Sequence, residues 1–211
     1  TMHGRALAFA EGLKLARPDK KIMVFTGDGD CLAIGGNHLL HAASRNIDLT
    51  VIMVNNYIYG MTGGQKSPST PKGAITKTSP FGCIDEPING CRLVMSLGAS
   101  YVARWTTAHP VQLAKSIKDG LMHRGFSFIE VLSQCPVQAG KSIYGEKDPA
   151  KIMRLYKENT YLYKEGKTRI EGKIPIGVFR NDDGAEEYIE KTEARLREQG
   201  IERTESWSVS Q

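Results

Sequence analysis

The sequence predicts an α/β fold in which a parallel β-sheet is flanked by helices. In residues 1–136, short apolar runs alternate with segments of helical spacing, which is typical of parallel strands joined by right-handed crossovers. Each apolar run also ends in polar residues, as do strands whose carboxyl ends border a ligand crevice. The chain has 211 residues, of which 40% are hydrophobic and 24% charged, so it can bury a core without disulfides.

The first half of this pattern contains two helices and two strands. Residues 2–16 carry one apolar stripe and predict a helix, which Pro18 ends. Residues 21–26 are a short apolar run and predict a buried strand. Residues 34–44 return to helical spacing, and residues 49–54 form the second apolar run. Both faces of these strands are therefore expected to be covered.

The second half repeats the pattern after a long polar connection that reaches about Pro80. That connection is too long for a simple linker, so we expect it to be functional. The spacing then predicts helices over 88–97 and 110–123, the second with proline in its first turn, and strands over 100–104 and 126–132.

The charge pattern divides the chain into two parts. Residues 1–135 carry 14 lysines and arginines against 9 acidic residues, whereas residues 136–211 carry 14 of each. We therefore expect a compact domain over 1–136 and a charged, solvated helical extension over 137–211, whose tail, 202–211, is disordered. Helices are predicted over 149–161 and 186–199, and 174–179 is a possible strand. The chain starts with Thr1 and not Met, so a preceding segment is expected.

Several classes of function are disfavoured by composition. The net charge of +5 is spread out without a basic cluster or an aromatic–basic stripe, so no nucleic-acid partner is predicted. No apolar run reaches the length of a membrane span, and no signal peptide opens the chain. The four cysteines form no CxxC pair, which favours reduced thiols and a cytoplasmic location.

A glycine-rich turn after the first strand is the main candidate site. Gly27 and Gly29 flank Asp28, so the backbone can approach a phosphate closely while Asp28 offers a hard oxygen to a cation. Asn55 and Asn56 follow the next strand, and Mg²⁺ prefers such oxygen ligands together with phosphate oxygens. Each motif alone is also a common turn sequence. Together, at this spacing, they match the signature of thiamine-diphosphate enzymes.

The match extends through much of the chain. The strings GDGD, AIGGNH, NIDLTVIMVNN, IYGMTGGQ and SPSTPKG closely resemble the β subunits of 2-oxoacid:ferredoxin oxidoreductases, above all those of the 2-oxoglutarate type. The resemblance is almost continuous to about Pro136. It implies a thiamine-diphosphate-binding fold and oxidative decarboxylation of a 2-oxoacid to an acyl-CoA. Electrons would pass through iron–sulfur clusters to ferredoxin.

The resemblance also implies which residues hold the cofactor. Asp28, the Asn56 side chain and the Ile58 carbonyl are expected to bind Mg²⁺. No catalytic acid or base is assigned, because in this family the activating carboxylate comes from the partner subunit; Glu11 and Glu130 are interpreted as carboxylates on a helix face and a strand face. The residues expected to contact thiamine diphosphate are His3, Gly29, Asp30, Gly60 and Met61.

One [4Fe–4S] cluster is implied by the same resemblance, and Cys135 matches one of its four cysteine positions. The other three have no counterpart in this chain, since Cys31, Cys83 and Cys91 match no cluster position and are interpreted as structural. The missing ligands could lie in an absent segment, which we favour, or in a separate polypeptide. Alternatively, the cluster is lost.

Substrate and partners are implied less specifically. Gly63 stands where some relatives of broad specificity carry a lysine facing the substrate, so that charge is expected to be missing here. Arg104, Arg92 and Lys66 could receive a distal carboxylate, although each is more commonly a surface ion. We expect an α subunit with the pyrimidine domain (and a fused or separate γ domain), ferredoxin, coenzyme A and 2-oxoglutarate. Alternatives are a branched-chain or pyruvate member, a non-redox thiamine-dependent decarboxylase subunit, or a non-catalytic assembly subunit.

Overall fold

The main feature of the fold is a six-stranded sheet. A computed structural model describes residues 2–166, 168 and 170–201 of the chain. The strands of the sheet lie in the order β1-β2-β6-β5-β8-β7, and a separate two-stranded hairpin is formed by β3 and β4. The elements in chain order are α1 (Ala6–Ala16), β1 (Met23–Gly27), α2 (Gly36–Arg45), β2 (Thr50–Asn55), β3 (Ile58–Tyr59), β4 (Gln65–Lys66), α3 (Gly90–Ser96), β5 (Tyr101–Thr106), α4 (Pro110–Met122), β6 (Ser127–Leu132), α5 (Pro149–Glu158), β7 (Thr160–Leu162), β8 (Ile174–Asn181) and α6 (Tyr188–Glu198).

The predicted parallel sheet is confirmed for β1, β2, β6 and β5, which pair in parallel. One face of this sheet packs against α1, α2 and α3 around Leu39 and Phe128. The other face packs against α4 around Ile129 and Trp105. Because helices cover both faces, the central strands are apolar along most of their length.

Local structure differs from the sequence prediction around the first strand. Helix α1 begins at Ala6 and not at residue 2, because Gly4 adopts φ 71° in a preceding turn. A π-helical turn, Asp30–Ile34, follows β1 almost at once, and α2 then begins at Gly36. This wide turn brings the residues after β1 close to the start of the chain.

The C-terminal part was predicted to be a solvated helical extension, but it also adds two strands to the main sheet. Strand β8 pairs antiparallel with β5, and β7 pairs parallel with β8, so both lengthen the main sheet. Ile176 of β8 is 2% exposed and packs in the same cluster as Trp105. The two predicted helices of this part are present as α5 and α6. The possible strand over 174–179 is present as β8, whereas β7 was not predicted, because its three residues lie within the stretch assigned to a helix and a charged extension. The division at residue 136 stays a prediction, and the predicted disordered tail lies outside the described residues.

Candidate functional site

Asp28 is a buried carboxylate at the carboxyl end of β1. It is 2% exposed, and its Oδ2 accepts hydrogen bonds from Ser67 Oγ at 2.6 Å and Ser69 Oγ at 2.5 Å. Burial raises the pKa of Asp28, although the two serine hydroxyls oppose that shift. Among the described residues, no lysine, arginine or histidine forms an ion pair with it. A buried carboxylate with hydroxyl donors and no cationic side chain suits a metal ion as its counter-charge.

Gly29 lies against the β3–β4 hairpin. Tyr59 of β3 donates its hydroxyl to the Gly29 carbonyl at 2.9 Å. A Cβ on Gly29 would lie 2.3 Å from the Tyr59 ring, so only glycine permits this approach. His3 meets the same ring edge-on, with 6.2 Å between ring centroids. The hairpin, the start of the chain and the turn after β1 therefore converge at Gly29.

Asp30 connects the turn after β1 to the start of the chain. Its Oδ1 accepts from the Gly4 amide at 2.5 Å and lies 2.6 Å from His3 Nδ1, while Oδ2 accepts from Thr26 Oγ1 at 2.6 Å. The carboxylate is therefore used to anchor the segment before α1. Since a carboxylate repels an anion, any contact between Asp30 and a diphosphate must come through its backbone N–H, at the beginning of a helical turn.

Two asparagines end β2 beside this turn. Asn55 is 2% exposed; its Oδ1 accepts from the Tyr57 amide at 3.0 Å and lies 2.9 Å from Ser69 Oγ, whose single proton it shares with Asp28 Oδ2. Asn56 is only half-buried, and its Oδ1 accepts from the Ile58 amide at 3.2 Å. An amide oxygen has two lone pairs, so that of Asn56 retains one for a cation. Tyr57 between them adopts φ 66°, which turns the chain sharply.

The hairpin loop carries three further predicted residues. A Cβ on Gly60 would lie 3.7 Å from Cys135 Sγ and 3.8 Å from Asn56 Nδ2, so this glycine separates the predicted cluster ligand from the asparagine turn. Met61 is fully exposed. Gly63 adopts φ 111°, and its Cβ would lie 2.8 Å from Lys77 Nζ. A lysine ammonium therefore lies beside Gly63 although residue 63 has no side chain.

The described cysteines do not form a cluster site. Cys31, Cys83 and Cys91 are buried free thiols, while Cys135 is half-buried. Within the part of the chain that the structure describes, no group of three or more histidine, cysteine or acidic side chains is arranged to hold a metal. These residues alone therefore do not fit a [4Fe–4S] cluster, which needs cysteine thiolates at all its irons.

Sequence reasoning missed the polar groups that surround Asp28 and Asn55. Ser67 and Ser69 lay in the SPSTPKG string without an assigned role. Arg104 is not a surface ion but is 6% exposed, and its Nε donates to Glu130 Oε2 at 2.7 Å. Two opposite charges within predicted buried strands are a signal that could have suggested this pair.

The other two candidate cations have different surroundings. Lys66 forms an exposed ion pair with Asp85, in agreement with a surface ion. Arg92 is exposed beside a cavity of about 640 Å³. Arg104, Glu130, Asn55 and Ser69 also line that cavity, so it borders the polar groups around Asp28 without including Asp28 itself.

Helices in the described part of the chain fall short of the length and hydrophobicity that a bilayer crossing requires. The cytoplasmic location stays a prediction from the sequence.

Comparisons with known proteins identify the family of this chain. Residues 1–131 match the family described as thiamine pyrophosphate enzyme, C-terminal TPP binding domain. The 2-oxoglutarate synthase subunit KorB of Methanocaldococcus jannaschii is 52% identical over 90% of this chain and 72% of its own length. Its counterpart from Methanothermobacter thermautotrophicus is 55% identical over 86% of this chain and 64% of its own length.

More distant relatives point the same way. The 2-oxoacid:ferredoxin oxidoreductase subunit beta of Saccharolobus solfataricus is 36% identical over 92% of this chain and 68% of its own length. A solved structure of 2-oxoglutarate:ferredoxin oxidoreductase from Magnetococcus marinus, with 2-oxoglutarate, coenzyme A and succinyl-CoA bound, superposes with a TM-score of 0.84. It is 29% identical and covers 97% of this chain and 71% of that chain. The chain belongs to the β-subunit family of the 2-oxoacid:ferredoxin oxidoreductases and carries its thiamine pyrophosphate-binding domain.

Proposed function

We propose that this chain is the thiamine-binding β subunit of an enzyme that oxidatively decarboxylates 2-oxoglutarate to an acyl-CoA and reduces ferredoxin. The chain spans 64 to 72% of the lengths of its first relatives, and these are named for 2-oxoglutarate. The similar structure from Magnetococcus marinus has 2-oxoglutarate, coenzyme A and succinyl-CoA bound. These names favour 2-oxoglutarate over branched-chain oxoacids and pyruvate.

The observation that carries the proposal is the buried Asp28 carboxylate, which lacks a cationic side-chain partner among the described residues. Mg²⁺ at Asp28, with the Asn56 side chain and the Ile58 carbonyl, would neutralise this charge and join it to a diphosphate. Contacts to thiamine diphosphate are proposed for His3, Gly29, Asp30, Gly60 and Met61. When bound at these residues, thiamine diphosphate would supply the nucleophilic and electron-sink chemistry that oxidative decarboxylation needs.

The other proposed role of this chain is to position the residues of the cofactor site and to enclose the site. Tyr59 fixes the hairpin against Gly29, and the serines hold the Asp28 carboxylate in one orientation. Glu130 is paired with Arg104, which supports the interpretation that it is a strand-face carboxylate and not the base. The carboxylate that activates the aminopyrimidine is therefore proposed to come from an α subunit, which would complete the site.

Electron transfer is proposed to use a [4Fe–4S] cluster with Cys135 as one ligand, and ferredoxin as acceptor. Because the other described cysteines, Cys31, Cys83 and Cys91, match no cluster position, the remaining ligands would have to come from outside the described residues. To test this, the iron content and visible absorbance are measured for the assembled wild-type protein and for the assembled Cys135→Ala variant. The variant is expected to lose or weaken the cluster signal; equal iron content in both would remove Cys135 from the ligand set.

The function is tested by substituting Asp28 in the full-length protein assembled with its partner subunit. Asp28→Ala is expected to abolish Mg²⁺-dependent thiamine diphosphate binding, measured by titration calorimetry, and ferredoxin reduction with it. Asp19→Ala removes an exposed carboxylate and is the matched control, with unchanged binding expected. Wild-type affinity in Asp28→Ala would refute the site.

Substrate and reaction type are tested separately with the wild-type assembly. Turnover of 2-oxoglutarate, pyruvate and a branched-chain oxoacid, each with coenzyme A and ferredoxin, is compared. The highest kcat/KM is expected for 2-oxoglutarate. A higher kcat/KM for another oxoacid would contradict the proposed substrate. Decarboxylation that needs no coenzyme A and reduces no ferredoxin would favour the non-redox decarboxylase.

A further inference from the structure

A continuous buried chain of polar contacts joins Asp28 to an ion pair in the middle of the sheet. Ser69 Oγ lies 2.5 Å from Asp28 Oδ2 and 2.9 Å from Asn55 Oδ1. Asn55 Nδ2 donates to Glu130 Oε1 at 2.7 Å, and Glu130 Oε2 accepts from Arg104 Nε at 2.7 Å. All five residues are at most 6% exposed. The contacts are therefore buried in the sheet, and four of the five residues, all except Asp28, also border the cavity described above.

The register of the sheet creates the ion pair. Arg104 of β5 and Glu130 of β6 are direct neighbours across two parallel strands. Burial favours the protonated acid, but the Arg104 charge, with hydrogen bonds from Asn55, Arg104 and Cys91, holds the pKa of Glu130 below its ordinary value. Glu130 is therefore a carboxylate that can only accept hydrogen bonds.

This acceptor determines which way the Asn55 amide points. The NH₂ group of Asn55 must face Glu130, so the amide oxygen faces the Tyr57 amide and Ser69. A reversed amide would place its oxygen against the Glu130 carboxylate and its NH₂ against the Tyr57 N–H. One orientation of Asn55 is thus strongly favoured.

Two parts of the proposed metal site depend on that orientation. The hydrogen bond from the Tyr57 amide to Asn55 Oδ1 shapes the turn that carries Asn56 and Ile58. The single Ser69 proton is shared between Asp28 Oδ2 at 2.5 Å and Asn55 Oδ1 at 2.9 Å, so the position of the Asn55 oxygen influences where the Ser69 hydroxyl lies beside Asp28. Both sides of the proposed Mg²⁺ site are therefore fixed from one buried amide.

We propose that Glu130, with Arg104 as its counter-ion, is a positioning residue for the Mg²⁺–diphosphate site and acts through Asn55. Glu130 itself contacts neither Asp28 nor Asn56 by a hydrogen bond, and it is not a catalytic residue. The inference rests on the proposed function for the identity of the ligand. The competing account is that the Arg104–Glu130 pair only stabilises the sheet.

The test replaces the ion pair in two ways in the full-length assembled protein, freed of cofactor. Glu130→Leu with Arg104→Met removes both charges and the acceptor of the Asn55 amide. Glu130→Gln with Arg104→Met removes both charges but leaves a carbonyl oxygen for that amide. The apolar pair is expected to raise the Kd values of Mg²⁺ and thiamine diphosphate about 10- to 100-fold, as loss of an outer-shell partner does. The glutamine pair is expected to recover most of that affinity.

A matched control separates positioning from stability. Thr50 lies at the opposite end of β2, is 3% exposed, and donates to the Gly120 carbonyl at 3.1 Å. Thr50→Val removes this buried hydrogen bond, so it should lower the midpoint of thermal unfolding without changing either Kd. Wild-type Kd values in a folded protein with Glu130→Leu and Arg104→Met would overturn the proposal. Equal losses of Mg²⁺ and thiamine diphosphate affinity in the two double variants would also overturn it.

If the variant with Glu130→Leu and Arg104→Met does not fold, Asn55→Ala provides a second test. This substitution removes the Asn55 amide while leaving the ion pair in place. It is expected to weaken Mg²⁺-dependent binding to a similar extent, and unchanged affinity in a folded Asn55→Ala protein would also overturn the proposal. If the wild-type assembly itself fails to bind thiamine diphosphate, the proposed function fails. If the wild type binds and the variants bind equally well, only the positioning role fails.

Discussion

Gly27 and Gly29 lie on either side of Asp28, but the structure gives them very different space, and this difference makes a sharp prediction. A Cβ on Gly29 would lie 2.3 Å and 2.4 Å from Cε1 and Cζ of Tyr59, whereas one on Gly27 would have no other atom within 4 Å. Neither glycine has a positive φ. Adding one methyl group at either position therefore tests close packing and not backbone strain.

In Gly29→Ala, the Tyr59 ring must move, and it is part of a two-residue strand without much freedom to do so. Overpacking of this kind costs about 1–3 kcal/mol. Loss of the Tyr59 hydroxyl bond to the Gly29 carbonyl adds about 1 kcal/mol. We therefore expect Gly29→Ala to lower the free energy of unfolding by about 2–4 kcal/mol and to weaken Mg²⁺-dependent thiamine diphosphate binding, because the hairpin carrying Gly60 shifts.

The assay is urea unfolding followed by circular dichroism, together with titration of the cofactor, for Gly29→Ala and Gly27→Ala in parallel. Gly27→Ala is expected to remain within about 0.5 kcal/mol of the wild type, the usual range for substitutions without contacts. Gly29→Ala combined with Tyr59→Ala should recover part of the packing loss. Equal stability and equal cofactor affinity in the two single variants would refute the account of the Gly29–Tyr59 contact.

Two further predictions concern other side chains. Burial lowers the pKa of His123 below its ordinary value, although Asp183 opposes this shift. The His123 imidazole therefore binds a proton more readily in the unfolded chain than in the folded one. The free energy of unfolding should fall as the pH drops from the unfolded-state pKa of His123 to its folded-state pKa. Urea unfolding at several pH values checks this, and His123→Gln should reduce the slope; an equal slope in both proteins would contradict it. Lys77→Met removes the ammonium beside Gly63 and should raise KM for 2-oxoglutarate more than KM for pyruvate, with the exposed Lys118→Met as control. Unchanged KM ratios would show that Lys77 does not face the substrate.

The sequence was sufficient for the parallel sheet and for the meeting of its two polar turns. Strands buried on both faces are apolar runs, and these were visible in the sequence. The carboxyl ends of β1 and β2 are adjacent, with Gly27 opposite Val54, so the turns with Asp28 and Asn55 had to be neighbours once the strands were parallel. Topology rules therefore predicted where the two polar turns meet, whereas the individual cofactor residues came from the family resemblance.

What the sequence left open depends on register and on loops. Arg104 and Glu130 could be seen as charges within apolar runs, but only the pairing of β5 with β6 places them opposite each other. Ser67 and Ser69 reach Asp28 from a long loop, where no hydrophobic period indicates the path of the chain. Residues 174–179 were visible as a possible strand, but only the structure shows that this strand, β8, pairs antiparallel with β5.

The most direct test of the account is an experimental structure of the assembled, full-length protein with Mg²⁺ and thiamine diphosphate bound. The account predicts Mg²⁺ at about 2.1 Å from an Asp28 carboxylate oxygen, the Asn56 amide oxygen and the Ile58 carbonyl, with two diphosphate oxygens and a water completing the octahedron. A diphosphate bound elsewhere, or a metal ion that leaves Asp28 uncoordinated, would contradict it.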